Sequence, residues 1–462
     1  MEFSTLFYIL LFMPLVVLLS MITKNMGIKN TILVSSSILF YAWGQLAFLW
    51  MYLAISVGTY CIAKYLKKTK YQTGLLILYV AFMVGILLYF KYFDFALSSL
   101  NAVLSTEFSL LQLALPLGIS FFTFQSLGYM IDVYNQKIEA EDNLLKFMCF
   151  TSFFPSFISG PILRYEQIKE QLDYRNVSLE EVANGFRLFI MGLGKKVIIA
   201  NNIAVLANYS FSSDLTILQW QFAWLGAIAY MLQIYFDFSG YSDMAIGVAN
   251  MLGFKKIPAN FNYPYMSVSI SEFWRRWHIS LGSWFKDYVY IPLGGNRVSI
   301  SRWIFNMFTV WFLTGLWHGA SIVFILWGLY YGIILMLEKF FIQRLINRLP
   351  KLIAHVYVLL VTLYGWTIFN SSSLYDLMQY TKAFIRSWMN LDYTYFMHAD
   401  IVYLWPILIG GLLLSSNIGY KLYKKIEMKC GYITDFYLVL ILVISVVLIV
   451  NNTFSPTIYF NF

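Results

Sequence analysis

Of the four histidines, His318 lies in an uncharged apolar run, in Thr314-Gly315-Leu316-Trp317-His318-Gly319, while His278 follows two arginines in a basic, Trp-rich stretch, Arg275-Arg276-Trp277-His278. A neutral imidazole, with a reference pKa of about 6.5, can accept a proton from an attacking hydroxyl and return it to a leaving thiolate. Acyl exchange between a thioester and a hydroxyl requires that proton movement. An ionisable side chain inside an apolar segment is a functional candidate by default. The structural alternative is a buried ring that bonds only backbone or a neighbour such as Thr314.

Beside His278 stand two guanidinium groups, Arg275 and Arg276, whose planar fork of donors matches phosphate oxygens. They belong to the stretch Ser271–Tyr288, where Phe273, Trp277, Leu281, Trp284 and Tyr288 recur at helical spacing as one apolar stripe. Pattern alone predicts one basic, Trp-rich amphipathic helix lying in the headgroup plane. The functional alternative makes its arginines the grip on a phosphate-bearing cytoplasmic donor such as coenzyme A. A third group is Gln233 to Asp243, which sets Asp237, Tyr241 and Asp243 in an apolar run. Burying these unpaired would be costly, so they either line the path of the reacting group and orient a histidine, or pair with Arg275 or Arg276. Carboxylates six residues apart on a helix do not face one another, which argues against a paired acid/base mechanism.

The elements that must position these groups follow from composition. The chain of 462 residues is 60% hydrophobic and 12% charged, which is too apolar for a soluble core and calls for lipid as solvent. Apolar stretches long enough to span the ~30 Å hydrocarbon layer recur throughout. The first, Phe3 to Met21, has no small-residue cleavage site after it and reads as a retained span. The net charge of +9 comes from short basic clusters between apolar segments, not from a continuous basic face, so it points to membrane orientation and away from nucleic acid. Clusters at Lys24/Lys29, Lys64/Lys67/Lys68/Lys70, Lys339/Arg344/Arg348/Lys351 and Lys421/Lys424/Lys425/Lys429 predict cytoplasmic loops. Residues 96–110, 208–219 and 388–402 contain no Lys or Arg and are expected outside, which threads the chain with roughly ten to twelve crossings and both ends outside.

Several segments break this simple pattern. Residues 31–63 exceed one span and should fold as a hairpin divided at Trp43-Gly44-Gln45, with the turn facing outside. Phe153-Phe154-Pro155 and Ser159-Gly160-Pro161 predict a re-entrant segment, since lipid tolerates irregular backbone only where protein or a watery cavity surrounds it. Arg164 to Arg187 is the most polar stretch, expected as a cytoplasmic loop, with Ser178-Leu-Glu-Glu181 a capping box that starts a helix. From Trp303 to Leu337 no residue is acidic, Lys or Arg; one straight helix there would run about 50 Å, so it must break. Gly315 and Gly319 around Trp317-His318 mark the break, giving a short descending arm and a longer returning helix with His318 deep in the protein.

Rival chemistries lack their residues. Cys61, Cys149 and Cys430 are too scattered for a disulfide framework or a metal site. The chain has no phosphate-cradling Gly-x-x-x-x-Gly-Lys-Ser/Thr, no His-Glu-x-x-His and no Gly-x-Ser-x-Gly. No repeat or linker divides it, and 1–462 reads as a single transmembrane domain.

Glu272-Phe-Trp-Arg-Arg-Trp-His-Ile-Ser-Leu, Trp284-Phe-Lys-Asp-Tyr-Val-Tyr-Ile-Pro-Leu-Gly-Gly-Asn296 and Thr314-Gly-Leu-Trp-His-Gly-Ala320 together resemble the membrane-bound O-acyltransferase (MBOAT) family, alginate O-acetyltransferase branch. Phe40-Tyr-Ala-Trp43, Ser159-Gly-Pro-Ile-Leu-Arg164 and Phe236-Asp-Phe-Ser-Gly-Tyr-Ser-Asp243 extend the likeness over most of the chain. The resemblance implies an all-α polytopic membrane protein with re-entrant segments around a central funnel or tunnel. It implies that His318 is catalytic and His278 a second important position. It also implies acetyl-coenzyme A as cytoplasmic donor with no bound cofactor or metal, an extracytoplasmic acetyltransferase partner and a polysaccharide acceptor, in a bacterial cytoplasmic membrane. A related branch transfers D-alanine to teichoic acid. A passive polysaccharide transporter, using Asp237, Asp243 and the arginines without chemistry, is the alternative from another class.

Overall fold

A computed structural model describes residues 2–386 and 403–451, and among these every regular element is a helix. Hydrocarbon offers backbone groups no water to bond, and a helix satisfies them within one segment. Among the described residues, six helical stretches are long and apolar enough to cross a membrane: Met26–Leu66, Gln72–Leu104, Leu179–Ser212, Ile322–Ile346, Lys351–Asn370 and Gly431–Asn451. Their outward side chains are apolar, as with Ile77, Leu78, Phe82 and Leu88 on Gln72–Leu104, the inverse of a soluble surface. The chain is an all-helical, polytopic membrane protein. Long helices that carry polar side chains, such as Trp220–Met251 with buried Asp237 and half-buried Gln233 and Asp243, fall outside that set of six. The loop expected at 388–402 lies outside the described residues.

The chain divides into two compact units. The first comprises Met1–Phe189, Met244–Ala259 and Ser283–Val289. It holds α1 (Met13–Ile22), α2 (Met26–Gln45), α3 (Leu49–Leu66), α4 (Gln72–Leu104), α5 (Ile119–Tyr134), α6 (Leu144–Thr151) and α7 (Tyr165–Asp173). The expected hairpin is present, turning through Leu46–Phe48 just after Trp43-Gly44-Gln45. Gln45 anchors the turn by donating to Leu115 O at 2.9 Å and accepting from Leu117 N at 2.5 Å. After α6 the chain leaves helical geometry except for a short turn at Phe154–Ser156, and residues 153–163 are all buried. Irregular backbone is thus surrounded by protein, as lipid demands.

The polar stretch 164–187 is not a plain loop. It contains α7 and the start of α8 (Leu179–Gly194). The capping box forms as expected: Ser178 N donates to Glu181 Oε2 at 3.2 Å, and Glu181 N donates to Ser178 Oγ at 3.3 Å. Lys29, expected in a basic loop, is instead buried on α2 and donates to Arg175 O at 3.2 Å.

The second unit comprises Ile190–Asp243, Asn260–Gly282 and Tyr290–Phe462. It holds α9 (Asn201–Ser212), the first part of α10 (Trp220–Met251), α11 (Ile270–Arg276), the start of α12 (Ile279–Phe285), α13 (Ile300–His318), α14 (Ile322–Leu337), α15 (Gln343–Ile346), α16 (Lys351–Asn370) and α17 (Leu374–Ala383). α13 and α14 form the break expected in the 35-residue apolar run. The descending arm has 19 residues, about 28 Å, so it is longer than the short arm expected. Glycines let the two helices close: a Cβ on Gly315 would meet Phe324 O at 2.4 Å, and one on Gly328 would meet Trp311 O at 2.2 Å. Pressed together in this way, the pair holds His318, the last residue of α13, at the turn.

Candidate active site

The segment expected to form one interfacial helix is two short helices. α11 ends at Arg276, Trp277 is extended (φ −104°, ψ 130°), and His278 takes the left-handed conformation at φ +44° before α12 begins. A non-glycine residue there costs about 1–3 kcal/mol and persists only where its surroundings fix it. The loop at 260–262 supplies that fixation. Asn262 N donates to Arg276 O and Ile279 N to Asn260 O, both at 2.9 Å, while Ser280 N and Oγ donate to Asn260 Oδ1 at 3.1 and 2.9 Å.

Nor does the stripe lie on a membrane surface, because Phe273, Trp277, Leu281, Trp284 and Tyr288 are all buried in protein. In the second unit, Trp277 packs against Trp366 at 4.7 Å, Phe261 at 5.1 Å and Phe273 at 5.6 Å between ring centroids. In the first, Trp284 stacks on Phe124 at 4.0 Å and Tyr288 donates to Asp132 at 2.6 Å. The amphipathic pattern was real, but its apolar face meets side chains where lipid was expected.

α11 is held at its start by two acids. Ser269 caps it by accepting from Glu272 N at 3.1 Å, and Glu272 accepts from Val268 N at 3.0 Å. Glu338, buried at the end of α14, accepts from Ile270 N at 2.5 Å and Ser271 N at 3.0 Å through its two carboxylate oxygens. A carboxylate at a helix N-terminus meets unsatisfied N–H groups and the positive end of the dipole. Sequence reasoning passed over Glu338, although a lone acid immediately after a long uncharged run was a usable signal. Asn260 carried no such signal.

The two histidines meet at one indole. Trp317 lies 6.0 Å from His278 and 4.8 Å from His318, edge-on to each. His318 also packs against Trp327 and Phe369, each at 4.9 Å. Both histidines are buried, at 5% and 8% exposure. Burial pushes the His278 imidazole down to about 4, which keeps it neutral near pH 7. The structure therefore brings together His278, His318, Trp277 and Trp317 around α11, α13, α14 and α16.

The arginines part ways. Arg276 pairs with Glu272 at 2.7 Å and donates to Asn262 O at 3.3 Å, whereas Arg275 is exposed. Of the two alternatives open for the α10 carboxylates, partnership with these arginines is corrected by the structure, which pairs both acids with lysines. Lys196 Nζ lies 2.5 Å from Asp237 and Lys195 Nζ 2.5 Å from Asp243. These lysines open a π-helical turn, Lys195–Ala200, continuing α8. Gly240 permits the approach, since a Cβ there would meet Gly192 O at 2.7 Å. Tyr241 is buried on the same helix, and Trp277 touches that helix through Tyr235 and Phe238. The adjacent lysines in an apolar run were the overlooked signal that Asp237 and Asp243 had partners. Among the described residues no three His, Cys, Asp or Glu side chains are grouped to hold a metal ion.

Similarity to known proteins covers this whole constellation. The membrane-bound O-acyltransferase family model matches residues 136–375. A protein named a probable alginate O-acetylase, from Pseudomonas aeruginosa, is 40% identical over 388 residues, 81% of this chain and 73% of the relative. The peptidoglycan O-acetyltransferase of Helicobacter pylori is 34% identical over 83% of this chain and 79% of its own length. The teichoic acid D-alanyltransferase of Bacillus subtilis is 29% identical over 49% of this chain and 59% of its own. With this match over its buried histidine pair and its spanning helices, the chain belongs to the membrane-bound O-acyltransferase family and is a multi-pass membrane acyltransferase.

Proposed function

We propose that this acyltransferase moves acetyl from acetyl-coenzyme A, presented at the cytoplasmic face, to the outer face for O-acetylation of a cell-envelope polysaccharide, in a bacterial cytoplasmic membrane. The observation that carries the reading is the pair of buried imidazoles on one indole, at a helix end and a backbone kink. His318 accepts the hydroxyl proton of the acceptor as its oxygen attacks the thioester carbonyl. The C–S bond breaks, and the imidazolium returns the proton to the thiolate, so the residue ends as it began. His278, neutral and across Trp317, is the second group at the reacting centre. Exposed Arg275 serves the donor phosphates, while Arg276 is taken up by Glu272. The O-acetylase and O-acetyltransferase names of relatives aligned over four-fifths of the chain favour acetyl over D-alanyl transfer. An extracytoplasmic acetyltransferase would complete transfer to the polymer.

The test supplies the purified protein in liposomes with radiolabelled acetyl-coenzyme A on one side and, separately, with a D-alanyl-loaded carrier protein. Label moving from acetyl-coenzyme A to a hydroxyl acceptor supports the proposal. Transfer of D-alanine alone would replace it.

A further inference from the structure

An N-cap residue ordinarily uses its own side chain to accept an N–H from the first turn of its helix. At α12 that residue is His278, and its ring faces Phe261 at 6.2 Å and Trp317 at 6.0 Å. The accepting atom comes from another segment. Asn260 Oδ1 takes the N–H of Ser280, the second residue of α12, together with the Ser280 hydroxyl, and Asn260 O takes the N–H of Ile279, the first. Asn260 is 1% exposed, so these bonds have no competition from solvent.

We infer that Asn260 is a positioning residue for the acyl-transfer reaction: it caps α12 in place of His278 and so holds His278 in its left-handed conformation with the imidazole directed at Trp317. This rests on the reading that His278 serves the reaction. Without Asn260 Oδ1, the buried Ser280 N–H and hydroxyl lose this acceptor, and the adjustment would unwind the first turn of α12 or shift the His278 ring toward it. Either movement displaces the imidazole by an ångström or more, and a displacement of that size costs on the order of a hundredfold in rate. Arg275, on the far side of the kink, stays on α11, which is fixed independently by Ser269 and Glu338.

The experiment is a mutant cycle on the full-length protein, with kcat, donor KM and melting temperature measured for Asn260→Ala, Asn260→Asp, His278→Ala and Asn260→Ala/His278→Ala. Asn260→Ala should lower kcat roughly tenfold to a hundredfold with donor KM nearly unchanged. Asn260→Asp keeps both acceptor contacts and should recover most of that loss. In the His278→Ala background the Asn260→Ala change should cost less than about threefold, since the residue acts through His278. If Asn260→Ala does not yield folded protein, Asn260→Ser, polar but too short to reach Ser280 N, replaces it in the same cycle. Equal losses in both backgrounds, with His278→Ala itself impaired, would overturn the positioning role while leaving His278 in the reaction. Normal kcat for His278→Ala would overturn both.

Discussion

Removing one half of the Lys196–Asp237 pair should destabilise the protein far more than removing both halves. The side chains are 1% and 4% exposed and their charged atoms lie 2.5 Å apart. Deleting one partner leaves the other charge in a low-dielectric interior, a loss of about 3–5 kcal/mol, whereas replacing both by apolar side chains of similar volume is often nearly neutral. Lys195–Asp243 is a built-in control, with the same separation but side chains 30% and 24% exposed. Solvent screens that pair, and breaking it should cost only about 1 kcal/mol. Lys196→Met, Asp237→Leu and the double variant would be unfolded by heat and by denaturant in one fixed detergent, with Lys195→Met alongside. The expected order is severe loss in each buried single, substantial recovery in the double and a small effect for Lys195→Met. The double variant should also retain acyl transfer, because Lys196 engages the carboxylate. A double variant as unstable as the singles would refute the pairing argument, and one that folds well but is inactive would give Asp237 a chemical role.

Further expectations follow from the site. Glu338→Ala leaves the Ile270 and Ser271 N–H groups without their acceptor; hydrogen bonds to a charged group are worth about 1.5–3 kcal/mol each, so stability and turnover should fall together, with Glu338→Gln between alanine and wild type. Because burial holds the His278 imidazole down to about 4, below its unfolded value of about 6.5, the unfolded chain binds the proton first as pH falls. Stability from this group is complete above pH ~6.5 and drains toward pH 4, so the melting temperature of His278→Gln should vary less than that of wild type across that window. Cysteines at Lys68 and Lys424 should react with impermeant reagent only once the cytoplasmic face is opened, and one at Asp214 should react in intact cells. The opposite labelling would reverse the threading.

Much of the architecture was legible because lipid leaves so few options. Hydropathy located the spans, the Ser178–Glu181 spacing located the start of α8, and the length of the uncharged run beyond Trp303 demanded the break at which His318 sits. The misreadings share a physical cause. Helical periodicity in Ser271–Tyr288 survives a single left-handed residue almost unchanged, so the kink at His278 was invisible to it. An apolar stripe looks the same whether lipid or protein covers it, which is why Trp277 and Trp284 were expected at the membrane surface and are found in protein cores. Partner choice for Asp237 and Asp243 depends on which helices approach. That was set by Gly240 against Gly192, a close approach of segments far apart in the chain.

The measurement that bears most directly on the catalytic role of His318 is single-turnover acetyl transfer by purified His318→Ala protein. Wild-type protein in liposomes, given radiolabelled acetyl-coenzyme A and a hydroxyl acceptor, should move label to the acceptor oxygen. His318→Ala, matched for insertion, monodispersity and melting temperature, should be slower by about 10²–10⁴-fold with donor affinity little changed, the loss that removing a general base produces. Near-normal turnover in a well-folded His318→Ala protein would make His318 a structural histidine and contradict the assignment.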